Sequence, residues 1–313
     1  MRNVINFSEF VELLQLDSDL LSLIPPISAD SSKFYRKFKI PKRRGGYRTI
    51  DCPYPSLAAI QGKILSKFFI DFEAHPCAFA YRKKANALQH ASCHLGEDEL
   101  LTVDLKDFFS SISRQMVFQS LEKCGVEADV CQAISLLCCV DGILPQGACT
   151  SPVISNIVFH KIDSRLQSLA KMLNLTYSRY ADDLAFSGKR IPRSLPRLID
   201  NILKSRSFRL NADKTKLKIL GAKKIITGVS ISSGVAKVPK TYKRKLRAEI
   251  HELEMNVDNL AAMKKVDPLI YEKLLGKINY LLQIEPENKY AQAKKARLSN
   301  SHQQFMSLTP SIF

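Results

Sequence analysis

The sequence is short of acids, of long apolar runs and of paired cysteines, and each shortage removes a class of protein. No stretch of the 313 residues approaches the roughly 18 consecutive apolar residues that would cross a bilayer. The opening MRNVINFSEFVELL sets Asn, Ser and Glu among its apolar residues, so it lacks a signal-peptide core. A soluble, cytoplasmic protein with no membrane partner is therefore expected. The eight cysteines, at 52, 77, 93, 124, 131, 138, 139 and 149, include no CxxC pair. Cys138 and Cys139 fall in the apolar run ISLLCCV, where a reduced thiol packs as a small hydrophobe, a usage that fits a reducing compartment. Cys77, His90, Cys93 and His94 invite a zinc reading, but their spacing follows no familiar ligand pattern, so zinc is the weaker reading. There is no internal repeat and no low-complexity segment. Acids are the scarcest charged group: 30 Asp+Glu against 47 Lys+Arg leave a formal charge of +17. That surplus points to a polyanionic partner, nucleic acid being the commonest; the alternative is a basic protein with no such partner.

What is present reads as a mixed α and β chain with room for two or three subdomains. Residues 5–24 read as a helical opening that ends at Pro25-Pro26. KFKIPKRRGGYRTIDCP (37–53) reads as a basic β-hairpin turning at Gly45-Gly46. Leu57, Ile60, Ile64 and Phe68 recur at helical spacing over 55–72. LLTVD (100–104) is a short apolar strand that ends on an acid. Helices are expected at 114–124, closed by Gly125, at 126–140, and from Ser151-Pro152 through Leu169. LTYSRY and LAFSG read as two strands of a hairpin, followed by a helix near 193–206. RLNADKTKLKIL and a strand pair around ITGVSIS come next. From Pro239 the chain is helical and begins strongly basic, KTYKRKLRAEIHELE.

One stretch carries chemistry. YSRYADDLAFSG (177–188) places Asp182 and Asp183 side by side between two strands. Adjacent like charges stabilise nothing in a turn unless something positive sits there. Either this is a solvated turn, since Asp is a common turn residue, or it is half of a metal site. Asp104 ends a strand in a similar way. If those strands are neighbours in one sheet, three carboxylates converge at its edge, and hard cations need oxygen ligands of this kind. Two such ions held about 3.5–4 Å apart activate a sugar hydroxyl and stabilise a leaving pyrophosphate.

With VDLKDFF (103–109) and LPQGACTSP (144–152) before it, and NADKTK (211–216) and ITG (226–228) after it, YADD resembles the palm of a reverse transcriptase. The resemblance covers roughly residues 35–235, and ordered motifs together are far more specific than any one alone. It implies an α+β right-hand polymerase: N-terminal helices and fingers over 1–99, a catalytic palm with an antiparallel sheet over 100–235, and a helical basic thumb over 236–313. It implies Asp104 and Asp182 as principal ligands of a two-metal Mg²⁺ site, Mn²⁺ being the substitute. Leu105 belongs to that site and Asp183 is its supporting acid. Phe109 matches the steric gate that excludes a ribose 2′-OH, which implies deoxynucleotides and a DNA product; an ordinary core phenylalanine is the alternative. Gln146 and Gly147 match the loop shaping the nucleotide pocket, Gly147 admitting a close backbone approach or a plain turn into a helix. Lys42 and Arg48 match fingers residues that grip a triphosphate, a task suited to bidentate arginine. Lys214 matches a proton donor to pyrophosphate, or is a surface lysine.

Two further segments resemble the bacterial retron branch of that family. Asn86-Ala87-Leu88-Gln89-His90 matches its NAxxH signature, and Ile226-Thr227-Gly228 matches its VTG triplet with Ile for Val. The QGxxxSP form at 146–152 differs from the altered loop of diversity-generating enzymes. An end at 313 leaves no room for maturase, endonuclease or RNase H extensions. The resemblance implies an RNA-directed DNA polymerase that binds a cognate non-coding RNA (msr-msd). From the 2′-OH of an internal guanosine it would use dNTPs to build branched multicopy single-stranded DNA (msDNA). A host RNase H would trim the hybrid, and a toxic effector protein encoded nearby would link the system to antiphage defence. RNA contact is expected at Asn86, His90, Thr227, Gly228 and the thumb residues Lys240, Lys243, Arg244, Lys245 and Arg247, read by shape and 2′-OH and sensitive to salt. The rivals are an abortive-infection or intron-related reverse transcriptase and a catalytically idle RNA-binding scaffold. Intact acids at 104, 182 and 183 argue against the last.

Overall fold

The computed structural model describes residues 6–42, 45–255 and 267–307. The chain divides into two compact units, one of Met1–Asn86 with Glu99–Leu217 and the other of Ala87–Asp98 with Lys218–Phe313.

The first unit opens with three short helices. Helix α1 (Phe7–Leu14) starts where the Asn6 side chain accepts from Glu9 N at 3.0 Å, and it buries Phe10 and Leu14. Helix α2 (Ser18–Ser22) is capped by Asp17 in the same way. Pro25 and Pro26 do not end the helical opening as expected; they lie in the first turn of α3 (Ile24–Ala29), where a missing N–H is no loss. Strands β1 (Tyr35–Pro41) and β2 (Tyr47–Pro53) form the expected hairpin, paired from Tyr35↔Pro53 to Pro41↔Tyr47. Helix α4 (Pro55–Lys63) passes into a π-helical turn over Ile64–Phe68, closed by Phe69 N donating to Ile64 O at 3.1 Å. The helix expected over 55–72 therefore stops early.

After α5 (Ala87–Ser92), which belongs to the second unit, the first unit resumes as a four-stranded sheet. Strands β3 (Glu99–Leu105), β4 (Thr176–Tyr180), β5 (Asp183–Gly188) and β6 (Leu210–Lys218) lie in the order β4-β5-β3-β6. Helices α6 (Arg114–Glu122), α7 (Ala128–Cys138), α8 (Ser151–Met172) and α9 (Leu195–Lys204) fill the connections. Ile154, Phe159, Ile162 and Leu166 of α8 join Leu101 and Val103 of β3, Phe186 of β5 and Phe208 in one core. Phe159 and Phe208 meet edge to face at 5.1 Å. Each such side chain fully buried stabilises the fold by roughly 1.5–3 kcal/mol. All eight cysteines are free thiols, with Cys138 and Cys139 fully buried.

In the second unit, β7 (Ile225–Ile226) and β8 (Val229–Ser230) form a short hairpin, followed by helices α10 (Lys240–Met255), α11 (Ile270–Ile284) and α12 (Lys289–Ser307). Leu246, Ile250 and Leu253 of α10 and Tyr271, Leu274, Ile278 and Leu281 of α11 are buried at helical spacing. Ion pairs Lys277–Glu249 and Lys294–Glu254, both at 2.6 Å, bind the three helices together. No described helix is long and apolar enough to cross a membrane.

Candidate active site

Three acids meet at one end of the sheet. Strand β3 delivers Asp104 directly across the ladder from Asp183, the first residue of β5. Ala181 and Asp182 make the turn between β4 and β5, with Tyr180 and Asp183 paired across it. Ala181 takes a left-handed φ of 56°, and Asp182 O accepts from Leu105 N at 3.0 Å, which ties the turn to the end of β3. On the other edge of β3, β6 brings Lys214 Nζ to 2.9 and 3.1 Å from the two Asp104 oxygens and Asn211 Nδ2 to 3.1 Å.

The electrostatics follow from that crowding. Asp183 is open to solvent on one side, yet desolvation, then the charges of Asp182 and Asp104, push its carboxyl up to about 6. Desolvation also raises Asp182, with Asp104 adding to it, while a backbone hydrogen bond, Lys214 and Arg48 pull the other way. Lys214 is raised by its hydrogen bond to Asp104. Negative charge is thus in excess, and the Lys214 ammonium offsets part of it.

Beneath the turn lies a group the motifs did not reveal. Arg179 of β4 and Asp163 of α8 are both fully buried and pair at 2.6 Å. The sequence does hold a signal for it: an acid following the apolar residues of ISNIVFHKID and an arginine in a buried strand imply one another, since neither charge is tolerated inside alone. Cys77, weighed above as a zinc ligand, sits here with His75 and Asp163, its Sγ 2.9 Å from His75 Nδ1, and burial raises its thiol pKa. His90 and His94 face each other in the second unit, ring centroids 6.0 Å apart.

The residues matched to a nucleotide pocket are placed as follows. Gly147 has φ 145°, and a Cβ there would meet Asp51 O at 2.6 Å and Ile50 Cγ2 at 2.9 Å. The close approach is therefore to the protein's own strand β2, where Asp51 N also donates to Gln146 O at 3.0 Å. Arg48 is exposed on β2, and its charge reaches Asp182. Lys42 is exposed at the hairpin turn, its N–H bonded to Gly46 O at 2.9 Å. Phe109 is half-buried, with the Phe108 ring at 5.3 Å and the Tyr81 ring at 6.4 Å.

In the second unit the two signature segments meet each other. Thr227, with φ 43°, donates from Oγ1 to Ala87 O at 3.2 Å and lies 3.4 Å from His90 Nδ1. His90 is only 1% exposed, so in this structure it faces Thr227 and the interior rather than a surface open to RNA. Gly228 has φ 84°, and a Cβ there would stand 3.2 Å from Tyr280 Oη; Asn86, the last residue of the first unit before Ala87, is half-buried. Along α10, Lys240, Arg244, Lys245 and Arg247 are exposed, Arg247 lying over the Tyr290 ring at 4.9 Å. Lys243 departs from that surface: it is half-buried and pairs at 2.7 Å with Glu285, which also accepts from Val238 N.

The family model described as reverse transcriptase (RNA-dependent DNA polymerase) matches residues 40–256. The chain belongs to the reverse transcriptase family. Its curated relatives place it in the retron branch. The retron Mx162 reverse transcriptase of Myxococcus xanthus is 34% identical over 71% of this chain and 53% of its own length. The retron Ec86 reverse transcriptase of Escherichia coli is 30% identical over 69% of this chain and 67% of its own. The retron Ec73 enzyme of Escherichia coli is 30% identical over 80% and 83%. The chain thus spans about half the length of the first of these relatives. Among solved structures, a Candida albicans telomerase in complex with a fragment of telomeric RNA aligns over 91% of this chain and 65% of its own, with TM-score 0.47 and 11% identity.

Reverse transcriptases work with divalent metal ions, and the residues present fit one. The donors are carboxylate oxygens, as a hard cation requires. The raised pKa values of Asp182 and Asp183 mark a site that gains from added positive charge.

Proposed function

We propose that this chain is an RNA-directed DNA polymerase of retron type that builds msDNA on its cognate msr-msd RNA. The observation that carries this reading is the placement of Asp104 across from Asp183 at the end of β3 and β5, with Asp182 in the turn beside them. In this reading Asp104, Asp182 and Asp183 supply oxygens to two Mg²⁺ ions, or Mn²⁺ in their place, with Leu105 at the same strand end. Bound there, the metals would activate the attacking hydroxyl and stabilise charge on the departing pyrophosphate. Lys214, whose ammonium pairs with Asp104 at 2.9 Å, would give a proton to that pyrophosphate. Arg48 and Lys42 grip the triphosphate of the incoming dNTP. Phe109 bars a 2′-OH, and Gln146 with Gly147 forms the floor of the pocket against β2.

The first hydroxyl extended would be the 2′-OH of a guanosine in the RNA, giving a branched product that a host RNase H trims. Fingers over 1–99, palm over 100–235 and thumb over 236–313 remain the division of labour we favour. RNA contact falls to Lys240, Arg244, Lys245 and Arg247, with His90, Thr227 and Gly228 shaping the unit that presents them and Asn86 in the segment leading into it. Antiphage defence in the cytoplasm, with a toxic effector restrained by the RNA–DNA hybrid, is the biological setting this reading implies. The polymerase part is tested with purified protein, an RNA template annealed to a DNA primer, and dNTPs with Mg²⁺. Extension that stops with EDTA, with Asp182→Asn and with ribonucleotides is expected. A folded wild-type protein that binds RNA but extends no primer would support the scaffold reading instead.

A further inference from the structure

We infer that Arg179 and Asp163 are a positioning pair that fixes the turn carrying Asp182 and Asp183, an inference that rests on the polymerase reading of those acids. Neither side chain is exposed to solvent. The guanidinium makes four hydrogen bonds from its planar fork. Nε donates to Asp163 Oδ1 at 2.9 Å, Nη2 to Asp163 Oδ2 at 2.6 Å and to Asn156 Oδ1 at 3.0 Å. Nη1 donates to Ala181 O at 3.2 Å. The plane lies over the Phe159 ring at 4.7 Å, and Tyr177 Oη donates to Asp163 Oδ1 at 2.8 Å.

That fourth bond carries the inference. Ala181 is an L-residue in the left-handed region, a conformation that persists only where its surroundings hold it. Arg179 takes the carbonyl of that very residue, the one immediately before Asp182. The arginine is itself fixed, because Arg179 N donates to Cys77 O and Phe79 N donates to Arg179 O, both at 2.8 Å. Asp163 and Asn156 stand on α8, so the turn is referenced to the longest helix of the first unit. A lysine, a single point donor on a flexible stem, cannot hold Asp163, Asn156 and Ala181 together. A buried ion pair adds little net stability over apolar residues of the same volume. Its use here is geometric: it sets where the two carboxylates stand relative to Asp104.

The triple variant Asp163→Leu, Tyr177→Phe, Arg179→Met tests this, because it removes both buried charges and the Tyr177 hydroxyl together, leaving only Asn156 Oδ1 and Ala181 O to lose a donor. We expect it to melt within about 5 °C of wild type, yet to lose about tenfold or more in kcat with KM for dNTP changed less than about threefold. Independently of activity, Mn²⁺ binding followed by the free-ion EPR signal should weaken about tenfold. A folded triple variant with wild-type kcat and Mn²⁺ affinity would overturn the inference. Should the triple variant not fold, Arg179→Lys, which keeps a positive charge beside Asp163 but cannot also hold Asn156 and Ala181, decides: weakened Mn²⁺ binding and a lower kcat support the pair, while wild-type values for both overturn it. If wild type itself extends no primer, the polymerase reading fails separately, and the Mn²⁺ comparison still judges the pair.

Discussion

Asp183 shows how a single residue can trade stability for chemistry. Desolvation and the charges of Asp182 and Asp104 hold its carboxyl at about 6, against 3.8 for the free group. The folded protein therefore binds this proton more tightly than the unfolded chain, and the contribution to stability falls as pH rises from about 4 to about 6. Above that window, without a divalent cation, the ionised group is a liability. We expect Asp183→Asn to raise the unfolding temperature by a few degrees in EDTA at pH 7.5, to lose most of the stabilisation that Mg²⁺ gives wild type, and to abolish primer extension; calorimetry with and without Mg²⁺ checks this. Phe109 makes a second case. In its proposed role the half-buried ring limits the sugar, so Phe109→Ala should raise ribonucleotide use relative to dNTP by about tenfold or more, read as the ratio of kcat/KM values. Were it only a core ring among Phe108 and Tyr81, the variant would lose stability and leave that ratio unchanged.

At the scale of elements, the loop before α8 and strand β2 are locked together through Gly147. Its φ of 145° and the 2.6 Å that a Cβ would leave to Asp51 O make Gly147→Ala strained twice over. We expect that variant to lose about 1–3 kcal/mol in denaturant unfolding and to raise KM for dNTP. Much of the element pattern was legible in the sequence because each piece carries its own local signal. The β1–β2 hairpin announces its turn with Gly45 and Gly46, α8 its start with Ser151-Pro152, and α9 its buried face with Leu195, Ile199 and Leu203. Pro25-Pro26 misled because the same residue that stops one helix opens the next. The early end of the helix after α4 was hidden because its apolar spacing continues to Phe68 while the backbone widens into a π turn. The converging acids could be anticipated from strand ends. Their Arg179–Asp163 support left only the faint signal of one acid in an apolar helix and one arginine in a buried strand, because it joins a strand to a helix and no motif spans both. No signal foretold the meeting of His90 with Thr227, 137 residues apart, which turns two separate signatures into one packed feature.

For the molecule as a whole, the 47 basic residues outnumber the 30 acidic ones, and part of that surplus is used within the protein: Lys243, Lys277 and Lys294 pair with acids among α10, α11 and α12, while Lys240, Arg244, Lys245 and Arg247 are exposed. Global stability also carries a pH signature. His94 is fully buried, and burial lowers its pKa from 6.5 to about 4. The unfolded chain takes up that proton first, so this contribution is whole above pH 6.5 and is lost as pH falls toward 4, to the extent of about 3 kcal/mol. His94→Gln should flatten the fall in unfolding free energy between pH 7 and 4.5; an unchanged slope would assign it to other groups. The most direct measurement concerns the product. The protein is expressed with the DNA that lies upstream of its gene, and nucleic acid is extracted from cells carrying wild type or Asp182→Asn/Asp183→Asn and treated with a 2′,5′-debranching enzyme. We expect a small DNA with wild type only, shifting in size on debranching. DNA that ignores debranching would contradict 2′-OH priming, and none from wild type with its RNA present would contradict the polymerase itself.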